Sequence, residues 1–131
     1  MIVLDASALL EMLLATGSGS LVSERIRMSE SISAPQLMIV ECLQVLRRSE
    51  LRGDIDADLA TALVHDLLAF DIELYDHVLL ADRIWELRSN LTAYDAAYVA
   101  LSELLGVPLI TTDAKLESAH GNHATVELIH V

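Results

Sequence analysis

The sequence predicts an α/β fold, a three-layer sandwich in which helices cover both faces of a central, mainly parallel β-sheet. Short apolar runs of strand length, such as residues 2–4, alternate along the chain with longer segments of helical periodicity. Strands that alternate with helices indicate βαβ units, whose parallel sheet is covered on both sides. The 131 residues, 53% of them hydrophobic, are enough to bury a core, and we expect one domain over 1–131.

Each predicted element has a local signal. Strands are expected at short apolar or alternating stretches: 2–4, 31–35, 71–74, 107–111 and 125–131. Helices are expected from about residue 6, over 21–29, from 35 to about 52, from 56 or 58 to 69, over 78–87, over 93–105 and over 114–119. Pro35 suits a first helical position. Gly53 and Gly106 are expected to close the helices that they follow.

The charge of the chain is strongly acidic. Twenty Asp and Glu residues against eight Lys and Arg residues give a formal net charge of −12. A protein that binds nucleic acid through a broad basic surface does not have this composition. The excess of acid suits a solubilising surface, a basic protein partner, or carboxylates clustered around cations. Composition does not choose among the three.

The sequence predicts neither a membrane span nor export. The longest apolar region, 93–110, is interrupted by charged residues and a proline, which argues against a bilayer span. The apolar N-terminus has no basic segment and carries Asp5 and Glu11, so a signal peptide is not expected. Cys42 is the single cysteine; it fits a reducing cytoplasm and is expected to be buried.

Four acids are predicted to converge at one edge of the sheet. Asp5 directly follows the first strand, and Asp113 follows the strand 107–111 after one intervening residue. Glu41 and Asp95 lie near the starts of helices, and helix starts fall at the same edge as the carboxyl ends of the strands, where α/β sheets bind ligands. Carboxylates gathered there would repel one another without a cation. Oxygen ligands favour Mg²⁺ or Mn²⁺ over zinc.

Each of these acids also has an ordinary structural explanation. Asp5 and Asp113 could cap the helices that follow them, and Asp95 has the T-x-x-D spacing of a capping pair with Thr92. Glu41 could belong to a solvated stripe on its helix. The metal-site hypothesis therefore depends on the combination of acids at one edge and not on any single residue.

Three stretches of the chain form an ordered pattern. They are "IVLDASALL" at the start, "IVECLQVLRR" in the middle, and "LTAYDAAYVALSELLGVPLITTDAKL" over 91–116, which is the most specific. In this order they resemble the PIN-domain ribonucleases, and specifically the VapC toxins of bacterial and archaeal toxin–antitoxin pairs. The resemblance runs from residue 2 to the final strand. The region 54–87 shows no pattern that can be matched.

The resemblance implies a divalent-metal-dependent endoribonuclease, a toxin that hydrolyses RNA phosphodiester bonds and leaves 5′-phosphate and 3′-hydroxyl ends. The four acids of the family correspond to Asp5, Glu41, Asp95 and Asp113. By the resemblance they bind Mg²⁺ or Mn²⁺ and are the catalytic residues, and Asp95 is expected to accept a proton from the attacking water. Ser7 and Thr111 match supporting positions of the family and are expected to stabilise the site.

A few basic residues are expected to contact RNA phosphates. Arg48 and Arg52 share a helix face with Glu41, and Arg88 shortly precedes the helix 93–105. For each arginine taken singly, a solvated surface position is an equally good explanation.

A small antitoxin that covers the site is the partner that the resemblance implies, and the resemblance also allows a homodimer. A strongly acidic chain suits a basic antitoxin segment. Apolar side chains of the first two helices could hold an antitoxin helix in a groove, although about half of them are expected in the core. These side chains are Leu9, Leu10, Leu13, Leu14 and Leu21.

Other function classes fit less well. "IVLD" also opens haloacid-dehalogenase-type phosphatases, which need a second aspartate where this chain has Ser7. A receiver-type signalling domain needs paired acids near the first strand and a lysine after the last strand, and neither is evident in this chain. "TGSGS" at 16–20 lacks the G-K-S/T of a phosphate-binding loop. The remaining alternative is a non-catalytic PIN-like module that binds RNA or protein.

Overall fold

A five-stranded sheet forms the centre of the computed structural model, which describes residues 1–118 and 121–130. Its strands are β1 (Ile2–Leu4), β2 (Ile32–Pro35), β3 (Glu73–Tyr75), β4 (Leu109–Thr111) and β5 (Val126–Leu128). All neighbouring strands are parallel, in the order β3-β2-β1-β4-β5. The prediction of an α/β fold with a parallel central sheet is confirmed.

The connections between the strands are helical. In the described part of the chain the helices are α1 (Ala6–Leu13), α2 (Gly19–Arg27), α3 (Leu37–Leu51), α4 (Ala57–Ala69), α5 (Ala81–Glu86), α6 (Ala93–Leu105) and α7 (Ala114–Ser118). The helix predicted over 78–87 is a 3₁₀ turn, Val78–Leu80, followed by the short α5. Residues 119 and 131, the predicted ends of the last helix and strand, lie outside the described residues. None of the helices within 1–118 and 121–130 is long and apolar enough to cross a bilayer.

The junction between β2 and α3 differs from the prediction. Pro35 ends β2, where it is paired with Tyr75, and does not open the following helix. Pro35 has no N–H to donate, so the pairing with β3 continues through the N–H of the next residue. Here the N–H of Gln36 donates to the Tyr75 carbonyl at 3.0 Å. The helix then begins at Leu37, whose N–H donates to His77 Nε2 at 2.9 Å.

The ends of α3 and α6 lie where the glycines predict them. Gly106 caps α6 with a left-handed backbone, φ 66°, and its N–H donates to the Ser102 carbonyl at 2.9 Å. Gly53 follows the last residue of α3 and its cap, with φ 81°. A residue with a side chain adopts this backbone region only at a cost, so glycine stops both helices cleanly.

The direction of the chain across the sheet reverses between β1 and β4. The connections from β1 to β3 run one way and those from β3 to β5 run the other, so right-handed crossovers place α1–α4 on one face and α5–α7 on the opposite face. Such a reversal leaves a crevice at the carboxyl ends of the two central strands, which is the usual ligand position in this class of fold.

The leucines of the first two helices mostly belong to the core. Leu9 and Leu10 are buried, and Leu13 and Leu14 are half-buried against the same cluster. Leu21 is exposed. The structure thus agrees with the expectation that about half of these leucines lie in the core, and the half-buried and exposed ones supply the remaining apolar surface. Burial of Cys42, on α3, is confirmed.

Candidate active site

Asp5 lies at the end of β1 and is almost fully buried, with 4% of its surface exposed. As the N-cap of α1 it accepts hydrogen bonds at Oδ1 from the Ala8 N–H at 3.0 Å and from Ser7 Oγ at 2.8 Å. Its Oδ2 accepts from Thr111 Oγ1 at 2.5 Å. Burial raises the pKa of Asp5 to about 6, against the opposing effect of these hydrogen bonds. The predicted capping role is confirmed, and the hydrogen bond from Thr111 also connects the carboxylate to β4.

Thr111 connects Asp5 to the next acid. It is the last residue of β4, which pairs with β1, and its Oγ1 accepts a hydrogen bond from the Asp113 N–H at 2.9 Å while donating to Asp5. The negative charge of Asp113 contributes to the raised pKa of Asp5. Asp113 itself accepts from the Lys115 N–H at 2.9 Å. Thr111 and Ser7 therefore both hold Asp5 through side-chain hydrogen bonds.

Asp95 lies in the first turn of α6. Its backbone N–H donates to Thr92 Oγ1 at 3.1 Å, which confirms Thr92 as the helix cap. The side chain is half-buried. Burial, followed by the negative charge of Asp113, raises the pKa of Asp95.

Glu41 lies on α3 and meets α6 through a tyrosine. The buried hydroxyl of Tyr98, one helical turn beyond Asp95, donates to Glu41 Oε1. Burial raises the pKa of Glu41 and the charge of Asp95 raises it further, while the hydrogen bond from Tyr98 lowers it. Sequence reasoning missed Tyr98 as a site residue, because it stands in an apolar run that predicts core. A hydroxyl three positions after Asp95, hence on the same helix face, was the available signal.

The four acids form a chain of repelling neighbours. Asp5 is influenced by Asp113, Asp113 acts in turn on Asp95, and Asp95 acts on Glu41. Among residues 1–118 and 121–130, no three His, Cys, Asp or Glu side chains are arranged closely enough to hold a metal as a ready-made cage. The donor set still fits Mg²⁺ or Mn²⁺, because Mg²⁺ usually keeps several waters and uses only one or two carboxylates. A cation would also relieve the repulsion between these acids.

A cavity of about 440 Å³ adjoins the acids. Its walls come from α1, α3 and the start of α6, and we call it the site cavity. The residues that define it are Ser7, Leu10, Glu41, Val45, Arg48 and Tyr94. Glu41 is one of the four acids, and Ser7 donates a hydrogen bond to Asp5. The cavity is therefore continuous with the acids.

The three arginines predicted to contact RNA are placed differently. Arg48 lines the site cavity. Arg52 is exposed and pairs with Asp54 at 3.3 Å. Arg88 lies 4.5 Å from the ring centre of Trp85 and donates to the Trp85 carbonyl at 2.8 Å. Of the three, only Arg48 lines the site cavity with Glu41, whereas Arg52 and Arg88 contact neighbours of their own.

Comparison with known proteins agrees with this architecture. The family model of the PIN domain matches residues 2–122. Ribonuclease VapC12 of Mycobacterium tuberculosis is 40% identical over 129 residues, which are 98% of this chain and 99% of the relative. Ribonuclease VapC1 of the same organism is 37% identical over 129 residues, 97% of this chain and 96% of the relative.

Solved structures share the fold at lower identity. PAE2754 from Pyrobaculum aerophilum aligns with a TM-score of 0.70 at 22% identity, over 95% of this chain and 81% of that chain. VapC20 of M. tuberculosis, a sarcin-ricin loop cleaving toxin, aligns with a TM-score of 0.69 at 15% identity, over 90% of this chain and 94% of that chain. VapBC2 from Rickettsia felis, bound to a DNA fragment from its promoter, aligns with a TM-score of 0.71 at 14% identity, over 98% of this chain and 99% of that chain. Together with the family match over 2–122, these similarities confirm the resemblance: the chain belongs to the PIN-domain family and, within it, to the VapC ribonucleases.

Proposed function

We propose that this chain is a divalent-metal-dependent endoribonuclease, the toxin of a VapBC-like toxin–antitoxin pair. The observation that supports it most strongly is the gathering of Asp5, Glu41, Asp95 and Asp113 at the carboxyl edge of the sheet, in a chain of the VapC ribonuclease family. The chain aligns with nearly the whole length of the VapC12 and VapC1 relatives. The reaction is hydrolysis of an RNA phosphodiester that leaves a 5′-phosphate and a 3′-hydroxyl.

The four acids are proposed as the ligands of the cation. When bound there, Mg²⁺ or Mn²⁺ would offset the negative charge that the phosphate develops in the transition state. Ser7 and Thr111 hold both oxygens of Asp5, and Tyr98 holds one oxygen of Glu41. These hydrogen bonds fix the carboxylates before RNA arrives, so little reorganisation is needed on binding.

Asp95 is proposed as the group that accepts a proton from the attacking water. It is half-buried and stands at the open start of α6, whereas Asp5 is enclosed by three donors. The raised pKa of Asp95 brings it nearer to neutral pH and improves it as a base.

Cleavage of a mixed-sequence RNA by the purified chain tests this function. We expect cleavage with Mg²⁺ or Mn²⁺, no cleavage with EDTA, and ligatable 5′-phosphate ends on the products. Cleavage that persists in EDTA would contradict the metal-dependent mechanism. Binding of RNA without any cleavage in either metal would instead favour the non-catalytic PIN-like module.

A small antitoxin is the proposed protein partner, with a basic segment that complements the net charge of −12. The reducing cytoplasm is the proposed compartment, in keeping with the single buried Cys42. A homodimer and a single domain over 1–131 remain predictions from the sequence.

A further inference from the structure

The site cavity has an exposed aromatic wall. Tyr94 immediately precedes Asp95, and 66% of its surface is exposed, in contrast to Tyr98, which is 2% exposed on the same helix. Tyr94 lines the cavity together with side chains of α3. Exposure of a large aromatic ring costs hydrophobic free energy, and next to a phosphodiesterase site it provides a flat surface on which a base can stack.

The wall from α3 is chemically mixed. Glu41, Gln44, Val45 and Arg48 recur at helical spacing and therefore share one face. Val45 contributes apolar surface, while the exposed amide of Gln44 can both donate and accept hydrogen bonds. Gln44 therefore suits the edge of any base.

Arg48 provides a positive charge that no carboxylate of the described residues neutralises. Arg25, Arg52 and Arg83 each pair with a carboxylate within the described residues. The Arg48 guanidinium forms no ion pair or hydrogen bond within the described residues, and Arg48 lies in the same cavity as Glu41. In a chain of net charge −12, an unpaired arginine in the cavity that also contains Glu41 is well placed to hold a phosphate.

From this arrangement we propose that the site cavity is a nucleobase subsite of the RNA substrate. Tyr94 stacks on the base of a nucleotide next to the scissile phosphate, Gln44 contacts the edge of that base, and Arg48 holds the neighbouring phosphate. The proposal rests on the proposed ribonuclease function. It goes beyond that function by assigning substrate contacts to three residues outside the metal-binding acids.

The binding test uses two fluorescein-labelled RNAs of equal charge, a twelve-nucleotide RNA of mixed sequence and a twelve-nucleotide chain of abasic riboses. Affinity is measured by anisotropy with Ca²⁺ in place of Mg²⁺, and intact label is checked on a gel. We expect the chain to bind the base-bearing RNA about tenfold more tightly than the abasic one, the size of one stacked base. Tyr94→Ala should abolish that preference, and Tyr94→Phe should keep it.

Matched variants separate the contributions of the cavity from general surface effects. Leu104→Ala truncates another exposed side chain of α6 and should keep the preference for bases. Arg48→Gln should weaken binding of both RNAs equally, because a phosphate contact is indifferent to the base. Arg47→Gln, the adjacent arginine, lines a different cavity between α3 and α4 and should leave both affinities unchanged.

Failure of the subsite is distinguishable from failure of the ribonuclease function. If the chain cleaves RNA in Mg²⁺ but Tyr94→Ala keeps the base preference, the subsite is wrong and the ribonuclease function stands. If a Tyr94-dependent preference is found without any cleavage, the subsite stands and the ribonuclease function is wrong. If Tyr94→Ala keeps the preference but weakens capture of a co-expressed antitoxin, the cavity belongs to the protein partner and the base subsite is overturned.

Discussion

At the scale of single residues, the carboxylates of the site have structural and proposed chemical roles that use the same atoms. Asp5 caps α1 and accepts a hydrogen bond from Thr111 of β4, and Asp95 lies in the capped first turn of α6 while acting electrostatically on Glu41. Both helix positions could be predicted from the sequence, because capping spacings are local. The partner of Glu41 could not be predicted, since Tyr98 lies 57 residues away in sequence and reaches Glu41 only in the folded chain.

Tyr98→Phe should weaken the site without unfolding the protein. The buried ring is retained, but Glu41 Oε1 loses its donor, and a hydrogen bond to a charged group contributes roughly 1.5–3 kcal/mol. We expect cleavage and Mn²⁺ affinity to fall by about tenfold or more, as measured by cleavage kinetics and calorimetry. Tyr75→Phe removes a hydroxyl on β3 and is the control. An unchanged Mn²⁺ affinity in Tyr98→Phe would rule out a positioning role for this hydroxyl.

The metal-free protein should become more stable as the pH falls from 7 to 5. Burial raises the pKa of Asp5 from 3.8 to about 6, so the folded chain retains a proton that the unfolded chain has lost. The penalty for ionising Asp5 is fully present above about pH 6, at roughly 3 kcal/mol, and it disappears as the pH falls towards 4. The raised pKa values of Glu41 and Asp95 act in the same direction.

Thermal unfolding in EDTA between pH 5 and 7.5 measures this effect. Asp5→Asn cannot ionise at this position, so its stability should change less with pH than that of the natural chain. Equal pH dependence in the two proteins would show that Asp5 ionises in the folded state as easily as in the unfolded one.

At the scale of elements, the boundaries that could be predicted are those with local signals. Thr92 and Gly106 cap the two ends of α6. Asp56 caps the start of α4, where its side chain accepts a hydrogen bond from the Leu59 N–H. The start of α3 at Leu37 could not be predicted, because it depends on His77, a residue distant in sequence. The 3₁₀ turn before α5 likewise lacks a sequence signal that separates it from an α-helix.

The packing of α1 against α2 depends on a glycine. A Cβ atom at Gly19, in the first turn of α2, would lie 2.4 Å from the backbone carbonyl oxygen of Glu11, which cannot move without shifting α1. Gly19→Ala should therefore destabilise the fold by roughly 1–3 kcal/mol, measured by urea unfolding. Ser20→Ala changes the exposed neighbouring position and should have little effect. Equal stability of Gly19→Ala and the natural chain would show that the two helices can separate freely.

At the scale of the whole molecule, the reversal of strand order between β1 and β4 creates the site. It brings Thr111 onto Asp5 across 106 residues of sequence and places Asp113 beside them. The location of the acids could be predicted, because strand ends and helix starts of a parallel sheet share one edge. The arginines that remain unpaired could not be predicted, since ion pairs such as Arg83 with Glu103 depend on tertiary packing.

The central claim is that the four acids together bind a divalent cation and hydrolyse RNA with it. The most direct measurement compares Mn²⁺ binding by calorimetry and RNA cleavage in the natural chain and in Asp95→Asn, with the exposed Asp82→Asn as the control. We predict that Asp95→Asn loses at least about tenfold in Mn²⁺ affinity and most of its cleavage at a melting temperature that does not fall, while Asp82→Asn behaves like the natural chain. Full Mn²⁺ binding and full cleavage by Asp95→Asn would contradict it.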